Sequence, residues 1–126
     1  MRECGMLLPV ASLPSKYGIG AFSKEAYEFI DTLKEAGQHY WQILPLGPTS
    51  YGDSPYQSFS AFAGNPYFID LDRLVEEGLL TEEECDAADF GDNPRDIDYG
   101  KIYFNRFPLL RRAYERWLKD GHTVAE

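Results

Sequence analysis

The chain has 126 residues, of which 44% are apolar and 15% aromatic, enough for one modest core. Twelve Lys and Arg stand against 21 Asp and Glu, a net charge of -9, which excludes nucleic acid and an anionic membrane surface as partners and suits a neutral ligand. Cys4 and Cys85 lie far apart with no C-x-x-C or His-rich context, so neither a disulfide framework nor a zinc site is expected, and a reduced cytoplasm is the simplest setting. No apolar run is long enough to span a membrane, and Met1–Gly5 lacks the apolar stretch of a signal peptide.

In chain order, Gly5 to Val10 reads as a buried strand, and Leu13 to Gly20 as a turn punctuated by Pro and Gly. Ser23 opens a helix. Ala26, Tyr27, Phe29, Ile30, Leu33 and Ala36 form its apolar face, charged residues fill the other, and Gly37 supplies a left-handed stop. His39 to Leu44 is a second strand, and a right-handed crossover through the helix makes the two strands parallel. Pro45 to Pro66 is therefore a long loop leaving a strand's carboxyl end, where barrels and open parallel sheets build ligand sites.

That loop carries Tyr51, Tyr56, Phe59, Phe62 and Tyr67 among Ser54, Gln57, Ser58, Ser60 and Asn65. The mixture suits a sugar: pyranose C–H faces lie on aromatic rings, and the hydroxyl rim needs paired donors and acceptors. Each residue also has a plainer reading. Tyr56 could be a core tyrosine and Ser54 a turn hydroxyl beside Pro55. Asp53 sits alone in Y-G-D-S-P and reads as a turn cap, because retaining glycoside chemistry needs two carboxyl groups about 5 to 5.5 Å apart. Trp41 reads as core, and His39 and His122 have no partner in sequence.

Beyond the loop the chain turns helical. Leu71 to Glu77 ahead of Gly78 is one short helix, and Thr81 with Glu84 opens another through a capping box. The acidic stretch from Asp89 to Asp98 is a connection. A long helix follows from about Gly100 to Asp120, with Tyr103, Phe107, Leu110, Tyr114 and Trp117 as its apolar stripe and Pro108 predicting a kink or two abutting helices.

Five ordered motifs carry a family resemblance between Gly5 and about Trp117: S-L-P-S-K-Y-G-I-G from Ser12, E-A-G ending at Gly37, W-Q-I-L-P-L-G-P from Trp41, Y-G-D-S-P-Y-Q-S-F-S-A-F-A-G-N-P from Tyr51, and D-Y-G-K-I-Y from Asp98. In these the chain resembles the 4-α-glucanotransferases (amylomaltases, disproportionating enzymes), whose members are several times longer. The resemblance implies an α/β fold, the N-terminal part of a (β/α)8 TIM barrel with a helical insertion, left incomplete in residues 1–126. Residues 1–70 would supply strand, helix, strand and cleft loop, and residues 71–126 the helical segment.

The implied activity is transfer of α-1,4-glucan segments between maltodextrins by a retaining double displacement. Its catalytic carboxylates match no motif in this chain, so no catalytic residue is assigned here, and no metal or other cofactor is expected. Ser54 and Tyr56 match substrate-binding positions, Tyr56 stacking beneath the donor-side sugar. Tyr51 and Tyr103 match the ring platforms of a secondary glucan groove, although Tyr103 also belongs to its helix stripe. Implied partners are maltodextrin, amylose or glycogen-derived glucans, without nucleic acid or membrane. Two alternatives stay open: a fragment of an α-amylase-like hydrolase, and a non-catalytic glucan-binding module.

Overall fold

The computed structural model describes residues 1–50 and 52–122. Its chain divides into two compact units, Met1–Ile69 and Asp70–Glu126.

In the first unit, strand β1 (Gly5–Leu7) pairs in parallel with β2 (Tyr40–Gln42), Met6 lying opposite Trp41, and helix α1 (Lys24–Glu35) connects them. The strand–helix–strand order read from periodicity is therefore present, with shorter strands. The Leu8 amide bonds the Gln42 carbonyl at 3.0 Å and the His39 amide bonds the Cys4 carbonyl at 2.9 Å, which extends the ladder past both ends. His39 is thus tied into the fold through its backbone. The expected buried strand over Gly5 to Val10 is corrected on two counts. It ends at Leu7, where the chain passes into a 3-10 turn at Val10–Ser12, and all three β1 residues are exposed. A sheet of two strands in this unit offers more face than one helix covers, so apolar strand residues remain in the open.

Helix α1 starts after Ser23, whose hydroxyl donates to the Glu25 carboxylate at 2.6 Å, and it ends ahead of Gly37, with φ at +70°. Ala26 and Leu33 are buried with Phe29 half-buried, whereas Tyr27, Ile30 and Ala36 of the expected face are exposed. The buried line follows three- and four-residue spacing from Ala26, and Tyr27 and Ile30 sit on its flanks. The core gathers Val10, Leu13 and Ala26, packed against by Leu8, Phe29, Trp41, Ile43, Leu46 and Phe68. Trp41 belongs to it as expected. Its ring meets Phe29 edge-on at 5.0 Å, and its indole N–H donates to the Leu8 carbonyl at 2.8 Å, so the polar atom is satisfied where the ring is packed.

Gly20 explains the second glycine of Y-G-I-G. A Cβ there would stand 2.1 Å from the Val10 carbonyl oxygen, and the Gly20 amide donates to the Ala11 carbonyl at 3.0 Å. Only a residue without a side chain lets the loop dock on the Val10–Ser12 turn.

Among the described residues the second unit holds three helices: α2 (Leu71–Glu76), α3 (Glu82–Asp86) and α4 (Tyr99–Lys119). Asp70 caps α2 by accepting from the Asp72 amide at 3.0 Å. The capping box at α3 forms as read: Thr81 Oγ1 accepts from the Glu84 amide at 3.2 Å, and the Glu84 carboxylate accepts from the Thr81 amide at 3.0 Å. The Asp89–Asp98 stretch contains no helix or strand.

Helix α4 runs as one element through Pro108, rather than as two. Proline removes the N–H that would bond the Phe104 carbonyl, but Phe104 and Pro108 both lie on the exposed side, where losing that bond does not bury an unpaired oxygen. The stripe expected to be buried is also corrected. Ile102, Arg106, Leu109 and Ala113 are the buried positions, one residue round from Tyr103, Phe107, Leu110, Tyr114 and Trp117, of which Tyr103 and Tyr114 are about half exposed. A charged Arg106 in the buried line hides that line from a hydropathy pattern. The aromatic rings instead pack along the helix: Tyr103 on Phe107 at 5.2 Å, and Trp117 stacked on His122 at 5.0 Å.

Candidate functional site

The long loop leaves the carboxyl end of β2, and its ends are brought together by the Asn65 amide, which donates to the Leu46 carbonyl at 2.8 Å. Asn65 is buried, and its side chain accepts from the Tyr67 amide at 2.9 Å, opening the 3-10 turn Pro66–Phe68. Asn before Pro is a turn signal visible in sequence, and here it anchors the loop base.

Most loop hydroxyls bond the loop itself. Ser50 Oγ donates to the Gln57 carbonyl at 2.8 Å, and Ser58 Oγ donates to the Ser60 carbonyl at 2.7 Å. Ser60 Oγ accepts from the Ala63 amide at 3.1 Å. Reading Ser58, Ser60 and Asn65 as sugar partners therefore missed their first role, which is to satisfy backbone groups in a segment without regular structure. Ser spaced two residues from Ser is a signal for such local bonding, but it does not distinguish that role from ligand contact.

Ser54 Oγ accepts from the Tyr56 amide at 3.3 Å, and the Gln57 amide donates to the Ser54 carbonyl at 3.2 Å. A hydroxyl that accepts in this way keeps its own proton to donate outward. Tyr56 is 73% exposed, so in this chain it is not a core tyrosine. Phe59 and Phe62 are likewise exposed. The structure thus brings Ser54 and Tyr56 onto one tight turn two residues apart. Asp53 joins that turn through its backbone, at φ +56° and with its amide donating to the Ser50 carbonyl at 3.1 Å.

Tyr51 lies outside the described residues, and Tyr103 is in the second unit, on the exposed side of α4. There Tyr103, Phe104, Phe107, Pro108, Arg111, Arg112 and Glu115 line an open groove of about 500 Å³. Within the same unit Glu84 is gripped by Arg116, with contacts of 2.7 Å to each carboxylate oxygen, and by Arg112 at 3.0 Å. Arg116, joined by the Thr81 amide, holds the Glu84 carboxyl down at about 2. Lys101 similarly holds the Asp89 carboxyl below its ordinary value. These charged groups are engaged in structure. Among the described residues no group of three His, Cys, Asp or Glu is placed to hold a metal ion, and no helix is long and apolar enough to cross a membrane.

A parallel strand–helix–strand unit with an aromatic, internally braced loop at a strand's carboxyl end defines an α/β protein, part of a larger class that builds ligand sites at that end. The profile of the 4-alpha-glucanotransferase family matches residues 8–125, and the chain belongs to that family. It is 63% identical over 118 residues to the 4-alpha-glucanotransferase of Clostridium butyricum, covering 93% of this chain and 24% of that protein. It is 57% identical over 120 residues to the 4-alpha-glucanotransferase of Streptococcus pneumoniae, covering 95% of this chain and 24% of that one. Among solved structures it matches the amylomaltase from Streptococcus agalactiae in complex with acarbose, with a TM-score of 0.91 and 47% identity, covering 94% of this chain and 24% of the amylomaltase. The chain spans about a quarter of the length of these relatives.

Proposed function

We propose that these residues form the N-terminal part of the catalytic (β/α)8 barrel of a 4-α-glucanotransferase, with residues 1–70 supplying two barrel strands and the cleft loop and residues 71–126 a helical insertion. The observation that carries this reading is the family match over residues 8–125, which takes in the whole aromatic loop. The reaction would transfer α-1,4-glucan segments between maltodextrins, amylose or glycogen-derived chains by retaining double displacement. Its nucleophile and acid/base would come from polypeptide outside these residues.

In this reading the chain provides a wall of the cleft and no catalytic group. The exposed Tyr56 ring offers a face to the donor-side sugar, and Ser54, with a proton to donate, bonds a glucose hydroxyl. Acarbose, an oligosaccharide, is bound by the amylomaltase of Streptococcus agalactiae, which supports a glucan as ligand. Tyr51 and Tyr103 are assigned to a secondary site for long glucans. Neither Cys4, which is exposed, nor Cys85, which is buried, is in a disulfide, which fits a cytoplasmic protein. No cofactor is required.

The test is disproportionation of maltotriose. The complete reading frame that carries these residues is expected to yield glucose and longer maltodextrins, whereas the 126-residue chain alone yields neither above a no-protein control. Hydrolysis without chain lengthening would replace the transferase by an α-amylase-like hydrolase. Activity in the isolated chain would show that it contains the catalytic pair after all.

A further inference from the structure

The brace that holds Tyr56 has a part that hydrogen bonds alone do not reveal. A Cβ built on Gly47 would stand 2.6 Å from Ser58 Oγ, 3.0 Å from Ser58 Cβ and 3.4 Å from the Ser60 carbonyl oxygen. The Ser58 side chain therefore occupies the space that a side chain at 47 would fill, and its hydroxyl is fixed there by the Ser60 carbonyl at 2.7 Å. Two further ties flank this contact: Leu46 with Asn65 at the loop base, and Ser50 with Gln57 toward the tip. Residues 46–50 and 57–65 thus lie against each other, and the turn they hold between them carries Ser54 and Tyr56.

We propose that Gly47 and Ser58 form a steric latch that sets the position of Tyr56 for glucan binding, acting as positioning residues with no contact to sugar of their own. The inference rests on the proposed role of Tyr56. Stacking depends on where a ring face points, and a loop of irregular backbone keeps that geometry only if its two limbs are locked in register. Gly47 is the half of the latch without a side chain, and Ser58 is the knob that fills it. A methyl group on Gly47 meets Ser58 Oγ, which rotation of that side chain relieves, and Ser58 Cβ at 3.0 Å, which only a small shift of residue 58 relieves, and that shift turns Tyr56 through Gln57.

The latch is tested in the complete protein with Gly47→Ala, Ser58→Gly and the double variant. Gly47→Ala is expected to weaken maltotriose binding by about tenfold and to speed amide exchange across residues 50–58, with the melting temperature little changed, because the strain sits in an exposed loop. Ser58→Gly opens the space and is expected to weaken binding by only about threefold on its own, so the double variant is expected to bind like Ser58→Gly and better than Gly47→Ala. A merely structural glycine would lower the melting temperature and would not be rescued at position 58. Parental affinity and exchange in Gly47→Ala, or a double variant no better than Gly47→Ala, overturns the latch. If the parent protein does not bind maltotriose, the glucan reading of Tyr56 fails. The exchange measurement made without ligand then decides whether the latch exists.

Discussion

The two units keep their irregular segments in place by different physics. In Met1–Ile69 the loop and turns are held by neutral contacts: Ser and Asn side chains on backbone groups, and glycines that let backbone approach backbone. In Asp70–Glu126 the short helix α3 is tied to α4 by charge, through Glu84 with Arg116 and Arg112, and Lys101 pairs with Asp89 at 2.9 Å. A neutral brace is indifferent to pH and salt but intolerant of added volume. A charged one tolerates volume and responds to pH. That contrast fits the proposed role of the first unit, to aim the Tyr56 ring, and a second unit built of helices.

The largest effect is expected where the neutral scheme is tightest. Gly20→Ala puts a methyl 2.1 Å from the Val10 carbonyl oxygen, and backbone cannot yield as a flexible side chain can. Destabilisation of about 3 kcal/mol is expected, measured by the denaturant midpoint and equal at neutral and acid pH. A midpoint within error of the parent would show that the loop and the Val10–Ser12 turn separate readily.

Next come the aromatic rings of the two units. In the complete enzyme Tyr56→Ala is expected to cost ~1 to 3 kcal/mol in transition-state binding of maltotriose, with Tyr56→Phe mild because the ring face remains. Tyr103→Ala is expected to spare maltotriose and weaken activity on amylose, since a short substrate fills the cleft without reaching an outer groove. Equal losses on both substrates for Tyr103→Ala would make it a cleft or packing residue.

The smallest and most conditional effect belongs to Glu84. Its carboxyl is lowered from the ordinary 4.5 to about 2, so the folded state holds the proton less tightly than the unfolded chain. The stabilisation is therefore fully present above about 4.5 and is lost as pH falls toward about 2. Glu84→Gln is expected to be less stable than the parent at neutral pH, the gap closing across that acid window. Parallel stability curves for the two proteins would mean that the arginine contacts contribute nothing measurable.

Much of this was legible in local patterns, for identifiable reasons. The strand–helix–strand order, Gly37, the Thr81–Glu84 box and the long α4 depend on periodicity and capping, which act between residues three or four apart. The loop's place after β2 followed from the same order. Misreadings came where neighbours distant in sequence decide. Gly5 to Val10 is apolar, yet β1 is exposed, because burial of a strand depends on what lies over it. Tyr103 and Phe107 look like a core stripe, while the buried line passes through Arg106.

For the candidate site, the amino-acid order alone determined which residues share the loop, that the loop follows a parallel strand, and which family its motifs belong to. The tertiary structure decided which side chains face outward. The Ser58 and Ser60 hydroxyls are taken up by backbone groups of the loop and Tyr56 is exposed to solvent, though all three carry groups that suit a sugar. The physical reason is that a loop's backbone donors and acceptors must be paired first, and only the folded path of the chain sets which hydroxyls are near enough to pair them.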